Sequence, residues 1–384
     1  MKLSKRARMA PFHAMDVLAT AVAAEAAGRR ILHLEVGEPG TGAPRAAREA
    51  AARALSEAAP LGYTTGLGRA DLRAAIARLY GARHGIELPP DRVVVTSGSS
   101  AAFSLAFLAL FDPGDRVALG EPGYPCYRNI LSGLGVVPVG IPTGPETRFQ
   151  PTPALLDRAG PLDGLLIASP ANPTGTVLDT AALAALAAWC RERNAAFVSD
   201  EIYHGIGFGA PVETALAHSE EAIVINSFSK YWGMTGWRIG WMVVPERMVR
   251  PVETLAQNLF ICAPHVSQIA ALGALSAEGE AEAAAHVPRY ARNRDRVIET
   301  LGRLGFREIA PADGAFYAYA RLPEATGDSS GFCAAFLAEE GVAITPGLDF
   351  DPVRGAETVR FSLAGAEDAV AEAMLRLERF LTRP

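Results

Sequence analysis

The sequence predicts an α/β protein: a large domain with a mainly parallel sheet covered by helices, and a smaller α+β domain built from both chain ends. The chain has 384 residues, which is long enough for two such domains. From about residue 46 to residue 245, short apolar segments alternate with helix-like segments, and this alternation fades after Pro245. We therefore assign residues 46–283 to the large domain, and residues 1–45 together with 284–384 to the small one.

The strand candidates of the large domain are short and continuously apolar, which is typical of strands buried on both faces of a parallel sheet. They are Arg92–Thr96, Arg116–Leu119, Leu165–Ala168, Ala196–Ser199 and Ile223–Ser227. Helix candidates such as Ala101–Leu110 and Thr180–Arg193 lie between them. Strands that alternate with helices indicate a parallel sheet with helices packed on its faces.

The segments after Pro245 predict the small domain. A long helical stretch covers roughly Glu278–Leu304, with Pro288 as its start or as a kink. The remaining candidates are strands at Gly314–Ala320 and Thr358–Leu363, and helices at Gly331–Glu340 and Glu367–Leu381. Because strands and helices no longer alternate regularly here, we expect an α+β arrangement.

The N-terminal segment is basic and then alanine-rich, as a secretory signal would be, but we interpret it as a helix. Asp16 and Glu25 interrupt the apolar run, which argues against a signal. Met15, Leu18 and Val22 recur at helical spacing, so they predict an amphipathic helix that packs against the body of the protein.

Composition and charge narrow the classes of partner. The net charge of −6 gives no reason to expect nucleic acid or an acidic membrane as a partner. No segment approaches the roughly 18–20 uninterrupted apolar residues of a membrane span. The four cysteines and seven histidines are scattered, which favours free thiols in a reducing cytoplasm and predicts no metal site. We expect a cytoplasmic protein that acts on small molecules.

Polar and aromatic residues follow each predicted strand, at the edge where open α/β sheets bind ligands. The segments are Ser97-Gly98-Ser99-Ser100, Glu121-Pro122-Gly123-Tyr124, Ser169 through Gly175, Asp200-Glu201-Ile202-Tyr203 and Ser227-Phe228-Ser229-Lys230. Together they offer a phosphate-binding turn, an aromatic ring, an amide, a carboxylate, a phenol and a lysine. This set suits a phosphorylated aromatic ring that is attached to a lysine.

Each of these residues also has a structural interpretation when it is taken alone. The Ser-Gly-Ser-Ser turn can cap a helix rather than cradle a phosphate, and Asp200 can cap the helix that follows it, with Tyr203 one helical turn further on. Asn172 can simply form a turn, and Tyr124 can belong to the core. Lys230 can be an ordinary solvated lysine, although neighbouring cations would lower its pKa and favour Schiff-base chemistry.

Three motifs carry a resemblance to a known family. They are Asn172-Pro173-Thr174-Gly175, Asp200-Glu201-Ile202-Tyr203, and Ser227 through Gly240, which reads SFSKYWGMTGWRIG. In these motifs the chain resembles the class I and II aminotransferases, the aspartate-aminotransferase-like proteins of pyridoxal phosphate fold type I. Weaker matches run from Val36-Gly37-Glu38-Pro39 to Val359-Arg360-Phe361-Ser362, so the resemblance covers nearly the whole chain.

The resemblance implies a role for each motif residue. Lys230 would bind pyridoxal 5′-phosphate as a Schiff base and act on the substrate α-proton, Asp200 would hold the pyridine nitrogen, and Tyr203 and Asn172 would contact the phenolic oxygen. The phosphate would be bound by Ser99, Ser100, Ser227, Ser229 and Arg238, with Tyr124 stacked on the ring. The substrate carboxylate would be bound by Arg360, Gly37 and Asn172. Tyr63 would reach the phosphate of a neighbouring subunit, which implies a homodimer with a cross-subunit active site.

The activity implied is the transfer of an amino group between an L-amino acid and a 2-oxo acid. A pyridoxal-phosphate-dependent carbon–sulfur lyase or related eliminase uses the same pocket and is the alternative. A lysine that many bacterial members would place near the phosphate turn is replaced by Ser100. This departure makes small or apolar amino acids at least as plausible as aspartate, with Phe12 and Phe316 lining that side.

Overall fold

A computed structural model of the chain describes residues 1–58, 60–209, 211–324 and 326–383. The strands are β1 Leu32–His33, β2 Val93–Thr96, β3 Arg116–Glu121, β4 Val137–Pro142, β5 Gly164–Ala168, β6 Ala196–Asp200, β7 Ile223–Ser227, β8 Gly240–Val243, β9 Tyr317–Arg321, β10 Val342–Ala343, β11 Thr345–Pro346 and β12 Thr358–Ser362. The helices are α1 His13–Ala26, α2 Arg45–Ser56, α3 Ala70–His84, α4 Ser99–Leu110, α5 Pro125–Leu134, α6 Pro153–Arg158, α7 Thr180–Arg193, α8 Glu246–Leu259, α9 His265–Ala274, α10 Ala277–Ala284, α11 Val287–Arg303, α12 Ser329–Glu340 and α13 Glu367–Leu381.

The central sheet has seven strands in the order β2-β8-β7-β6-β5-β3-β4. Only β8 runs antiparallel to its neighbours, so the other six strands point the same way. All five predicted strands lie in this sheet, and the predicted α/β class is confirmed. The sequence did not signal β4, because this edge strand is partly exposed and carries two prolines and a glycine.

Helices cover both faces of the central sheet. One apolar layer joins one face to α2, α3, α7 and α9, and includes Val93 and Val95 of β2. The opposite layer joins the other face to α4, α5 and α8, and includes Val94. Since successive side chains of a strand point to opposite faces, an all-apolar run such as β2 is needed to fill both layers.

A separate apolar cluster belongs to the antiparallel sheet β11-β12-β9, packed with α11, α12 and α13. The N-terminal segment joins this part, because β1 pairs in parallel with β10. The predicted stretch Glu278–Leu304 is two helices, α10 and α11, and Pro288 lies in the first turn of α11. The proposed domain boundaries at 45/46 and 283/284 fall within terminal turns of α2 and α10, and the division stays a prediction.

Helix α1 forms where the sequence predicts it, but its buried stripe is different. Met15 and Val22 are 50% and 51% exposed, so the predicted apolar face is wrong. Ala14 and Ala21 face inward instead. Alanine lets the helix lie close to the strands it covers, which larger side chains would prevent. Among the helices of the described residues, none combines the length and the apolar character needed to cross a membrane.

One close helix contact can be tested with a matched pair of glycine substitutions. A Cβ atom at Gly273 in α9 would lie 2.5 Å from the carbonyl oxygen of Ala46 in α2, whereas one at Gly302 in α11 would meet nothing within 4 Å. Gly302→Ala should therefore raise the free energy of unfolding by up to about 1 kcal/mol. Gly273→Ala should lower it by about 1–3 kcal/mol because of overpacking.

Urea unfolding followed by circular dichroism would measure both changes under identical conditions. A Gly273→Ala protein as stable as Gly302→Ala would show that α2 and α9 are not packed this closely.

Candidate active site

A cavity of about 190 Å³ lies at the carboxyl edge of the central sheet, next to β9 and β12. The predicted site residues that line it are Gly37, Ser99, Ser100, Tyr124, Asn172, Asp200, Tyr203, Ser229, Lys230, Arg238 and Arg360. They come from loops after five different strands and from the small sheet. The edge of the central sheet brings together the residues from Ser99 to Arg238, as the strand-end argument predicts, and Gly37 and Arg360 reach the cavity from the other two sheets.

Lys230 follows β7 and reaches into the cavity. Its Nζ donates a hydrogen bond to the carbonyl oxygen of Gly37 at 2.6 Å. Burial, with the nearby guanidinium groups of Arg360 and Arg238, lowers the pKa of Lys230 to about 8. A substantial fraction of the amine is then neutral near physiological pH, which an ordinary lysine with a pKa of about 10.4 is not.

Asp200 ends β6 and is 4% exposed. Its carboxylate accepts a short hydrogen bond from the Tyr127 hydroxyl and one of 3.0 Å from the Ile202 backbone N–H. Burial raises the pKa of Asp200 to about 6, although both hydrogen bonds oppose this shift. A buried carboxylate with few donors is well suited to pair with a cationic ring nitrogen.

No helix follows Asp200, so the predicted helical spacing between Asp200 and Tyr203 is wrong. The chain makes a hydrogen-bonded turn there instead, which Asp200 supports through Ile202. Tyr203 nevertheless reaches the cavity, where its hydroxyl lies 2.7 Å from the hydroxyl of Tyr317.

Arg360, in the middle of β12, is 2% exposed and firmly held. Its guanidinium donates to Asn172 Oδ1 at 2.9 Å and to Thr345 Oγ1 at 3.2 Å, and also to a backbone carbonyl. The ring centres of Tyr317 and Phe350 lie 4.5 and 4.6 Å from the central carbon of this guanidinium. Because arginine only donates, the oxygen of the Asn172 amide faces it and leaves the amide N–H₂ free to donate.

The start of α4 and Arg238 present several hydrogen-bond donors to the cavity, an arrangement that suits an anion. Gly98 precedes α4 with φ of +77°, and a Cβ atom there would lie 2.4 Å from Arg238 Nη2. Only glycine allows the guanidinium to approach the start of α4 so closely. Ser99 and Ser100 begin α4, where the first backbone N–H groups have no partner within the helix. Both serines line the cavity, as does Ser229.

Two predicted lining residues lie elsewhere. Ser227 is fully buried, and its hydroxyl lies 2.9 Å from Ser229 Oγ and 3.0 Å from the carbonyl oxygen of Ile239, so it does not face the cavity. Phe316 is also fully buried and packs against the ring of Tyr203 at 5.4 Å. As neighbouring residues of an extended segment point to opposite sides, Tyr317 lines the cavity in place of Phe316.

Sequence reasoning also missed Tyr127. It lies one helical turn after Tyr124 in α5, and the two rings meet edge to face at 5.2 Å. The three-residue spacing of these tyrosines could have indicated Tyr127, because it places both side chains on one side of a helix. The ring of Phe12 meets the ring of Tyr124 edge to face, with the two ring centres 6.0 Å apart, and both residues line the cavity. Tyr63 is 86% exposed and away from this cavity, so its role at a neighbouring subunit stays a prediction.

Comparison with known proteins places the chain in a family. The family model described as aminotransferase class I and II matches residues 29–377. A valine–pyruvate aminotransferase of Mycobacterium tuberculosis is 49% identical, over 99% of this chain and 98% of its own length. An aspartate aminotransferase of Thermotoga maritima is 34% identical, over 96% of each chain. The crystal structure of an aminotransferase from Mycobacterium tuberculosis superposes with a TM-score of 0.96, at 48% identity and 99% coverage of both chains.

The reactivity of Lys230 should rise through pH 8. Below its pKa of about 8 the amine is protonated and cannot react, whereas above it the amine is free. The chain has three lysines, Lys2, Lys5 and Lys230, so peptide mass spectrometry after pulse acetylation assigns each one without ambiguity. We expect half-maximal acetylation of Lys230 near pH 8 in protein freed of small molecules, with the exposed Lys2 in the same samples as the reagent control. A midpoint near 10.4, about that of a free lysine, would contradict the assigned environment.

Proposed function

Because the chain belongs to the class I and II aminotransferase family and transfers an amino group between an amino acid and a 2-oxo acid, we propose that it does so with pyridoxal 5′-phosphate bound to Lys230. Members of this family depend on that cofactor. The observation that carries the proposal is a lysine amine of lowered pKa that shares one cavity with the buried Asp200. A lysine of this kind reacts readily with an aldehyde.

The residues present fit the cofactor. The start of α4 with Ser99 and Ser100, together with Ser229 and Arg238, would hold the phosphate, since Gly98 lets the guanidinium approach the helix start. Asp200 would pair with the protonated pyridine nitrogen. The ring would lie against Tyr124, with its phenolic oxygen bonded by the Asn172 N–H₂ and the hydroxyl of Tyr203. Ser227 would act only through Ser229.

When bound, the cofactor supplies an electron-withdrawing ring that stabilises negative charge at the α-carbon of the amino acid. The chain supplies the proton transfer. Nζ of Lys230, once the amino group of the substrate has taken its place, accepts the α-proton, because a pKa of about 8 leaves part of the free amine neutral at physiological pH. Asp200 keeps its negative charge beside the ring nitrogen, and Tyr127 and Ile202 hold its carboxylate in place.

Arg360 would bind the α-carboxylate of the substrate. Three of its five N–H groups are used by Asn172, Thr345 and the Glu35 carbonyl oxygen, so Nε–H and one N–H of Nη1 remain for a carboxylate. A planar guanidinium suits a carboxylate in two-point contact. The backbone of Gly37, which lines the same cavity as Arg360, would lie beside that carboxylate.

We propose an apolar amino acid as the donor and a small 2-oxo acid such as pyruvate as the acceptor. Among the described residues, the cations that line the cavity are Lys230, Arg238 and Arg360, and each has another role. Ser100 offers no charge for a second carboxylate, and the rest of the wall includes Phe12, Met15, Val36 and Ile202. The relative that is 49% identical is named for valine and pyruvate.

Incubation with single amino acids, without any acceptor, tests this function. With L-valine we expect one equivalent of the matching 2-oxo acid per active site, and with L-aspartate at least about tenfold less in the same time, because an unpaired buried carboxylate is costly. Lys230→Ala is the control and should form no 2-oxo acid. Continuous release of ammonia and pyruvate from serine or cysteine would instead favour the lyase alternative.

We also propose a homodimer in which Tyr63 completes the phosphate site of the partner subunit. The side chain of Tyr63 is 86% exposed, which is unusual for a tyrosine unless a partner covers it. The proposal agrees with the resemblance from which the role was inferred.

Light scattering should give twice the chain mass of 40.5 kDa. Tyr63→Phe should keep that mass and weaken cofactor binding by about 10- to 150-fold, because one hydrogen bond to a charged group is worth about 1.5–3 kcal/mol. A monomer with unchanged cofactor affinity would exclude this role.

A cytoplasmic location is part of the same proposal. The four cysteines are free thiols, and Cys190 and Cys333 are buried. Burial raises the pKa of both buried thiols, which keeps them protonated and unreactive.

A further inference from the structure

The start of α1 is held by a carboxylate far away in the sequence. The backbone N–H groups of His13 and Ala14 donate to Asp349 Oδ1 and Oδ2 at 2.8 and 2.7 Å. Phe12, at the N-cap position, makes no side-chain capping hydrogen bond. Asp349 therefore satisfies two of the free N–H groups at this helix start, and its charge suits the helix dipole.

Asp349 is itself fixed. It is 1% exposed and ends a short 3₁₀ turn, Gly347–Asp349, after β11. Its carbonyl oxygen accepts a hydrogen bond from Arg128 of α5 at 2.5 Å. The next residue, Phe350, packs on the guanidinium of Arg360 and accepts a hydrogen bond from the Gly123 N–H at 2.9 Å. The cap therefore connects α1 to the parts of the fold that hold Tyr124 and Arg360.

The residues that Asp349 holds form one wall of the active-site cavity. Phe12 contacts Tyr124, and Ala14 and Met15 line the cavity beside it. The rest of α1 is held by a small apolar cluster, which includes Ala21 and Leu337. An N-cap contributes about 0.5–2 kcal/mol, so its loss would loosen the first turn of α1, next to Phe12 and Met15.

We propose that Asp349 is a specificity-determining positioning residue, which fixes Phe12 and Met15 as the wall against which the side chain of an apolar substrate packs. Asp349 does not line the cavity and takes no part in proton transfer. Its effect should therefore depend on substrate size. Each methylene packed in such a pocket changes specificity by about 10- to 200-fold.

This inference rests on the proposed function, and half-reactions of the holoenzyme test it. Formation of 2-oxo acid is measured over a range of L-alanine, L-2-aminobutyrate and L-valine concentrations, which separates the half-saturating concentration from the maximal rate. Asp349→Ala should reduce the specificity for valine about tenfold, through the half-saturating concentration, and that for alanine less than about threefold. Asp349→Asn should lie between, because its amide oxygen still accepts one hydrogen bond.

Asp179→Ala is the matched control. It removes the cap of α7, where the carboxylate accepts from the Ala182 N–H at 2.8 Å on an exposed surface, and it should leave all three substrates unchanged. Phe12→Ala should reproduce the selective loss for valine. The double variant with Asp349→Ala should lose little more than Phe12→Ala alone, since both changes act through one wall.

Equal losses for alanine and valine in Asp349→Ala, or losses that add in the double variant, would overturn the role of Asp349 while the wild-type activity stands. If Asp349→Ala does not fold, Asp349→Asn and Phe12→Ala decide the question by the same comparison. A wild-type enzyme that forms no 2-oxo acid from any of the three would overturn the proposed substrate class, and this inference with it.

Discussion

The buried guanidinium of Arg360 is the interaction on which the site depends. It lies at the junction of the two sheets, where it donates to Asn172 from the loop after β5 and to Thr345 of β11. A cation buried in this way is destabilising unless its donors are used, so the surrounding segments are held in the positions that satisfy it. The same charge helps to lower the pKa of Lys230. One residue thus joins the two sheets and promotes the neutral state of the lysine, and in the proposed function it also binds the substrate carboxylate.

Burial shifts the pKa values of Lys230 and Asp200 in opposite directions. It favours the neutral form of each. Together with the charges of Arg360 and Arg238 it lowers the pKa of Lys230 to about 8. Against the hydrogen bonds from Tyr127 and Ile202 it raises the pKa of Asp200 to about 6. Near neutral pH, Lys230 is then partly a free amine while Asp200 is still largely a carboxylate. Tyr127 contributes to this separation, because its hydrogen bond to Asp200 limits the rise. A partly neutral lysine amine and a charged carboxylate can therefore coexist in one small cavity.

The chemical groups and the wall around the substrate come from different parts of the chain. The central sheet and α4 fix the chemical groups: Asp200 ends β6, Lys230 follows β7, and Arg238 lies beside the start of α4. Phe12 and Met15 belong to α1, which is held through Asp349. Relatives that match nearly the whole chain are named for valine and pyruvate in one case and for aspartate in another. In this arrangement the wall residues can change without disturbing Lys230 and Asp200, the residues to which we assign the proton transfer and the cofactor contact.

The sequence by itself determined the α/β class, five strands of the central sheet, and the edge at which Lys230, Asp200 and Asn172 meet. These features follow from local patterns. A strand buried on both faces must be apolar throughout, and the loop that follows a strand must lie at the edge of the sheet where that strand ends. Only the tertiary structure decided that Tyr317 rather than Phe316 faces the cavity, that Ser227 lies beneath Ser229, and that alanines rather than Met15 and Val22 form the buried face of α1. It alone revealed that Asp349 caps a helix 336 positions away. Such contacts depend on which segments the folded chain brings together, and a local pattern carries no signal of a partner that is distant in the sequence.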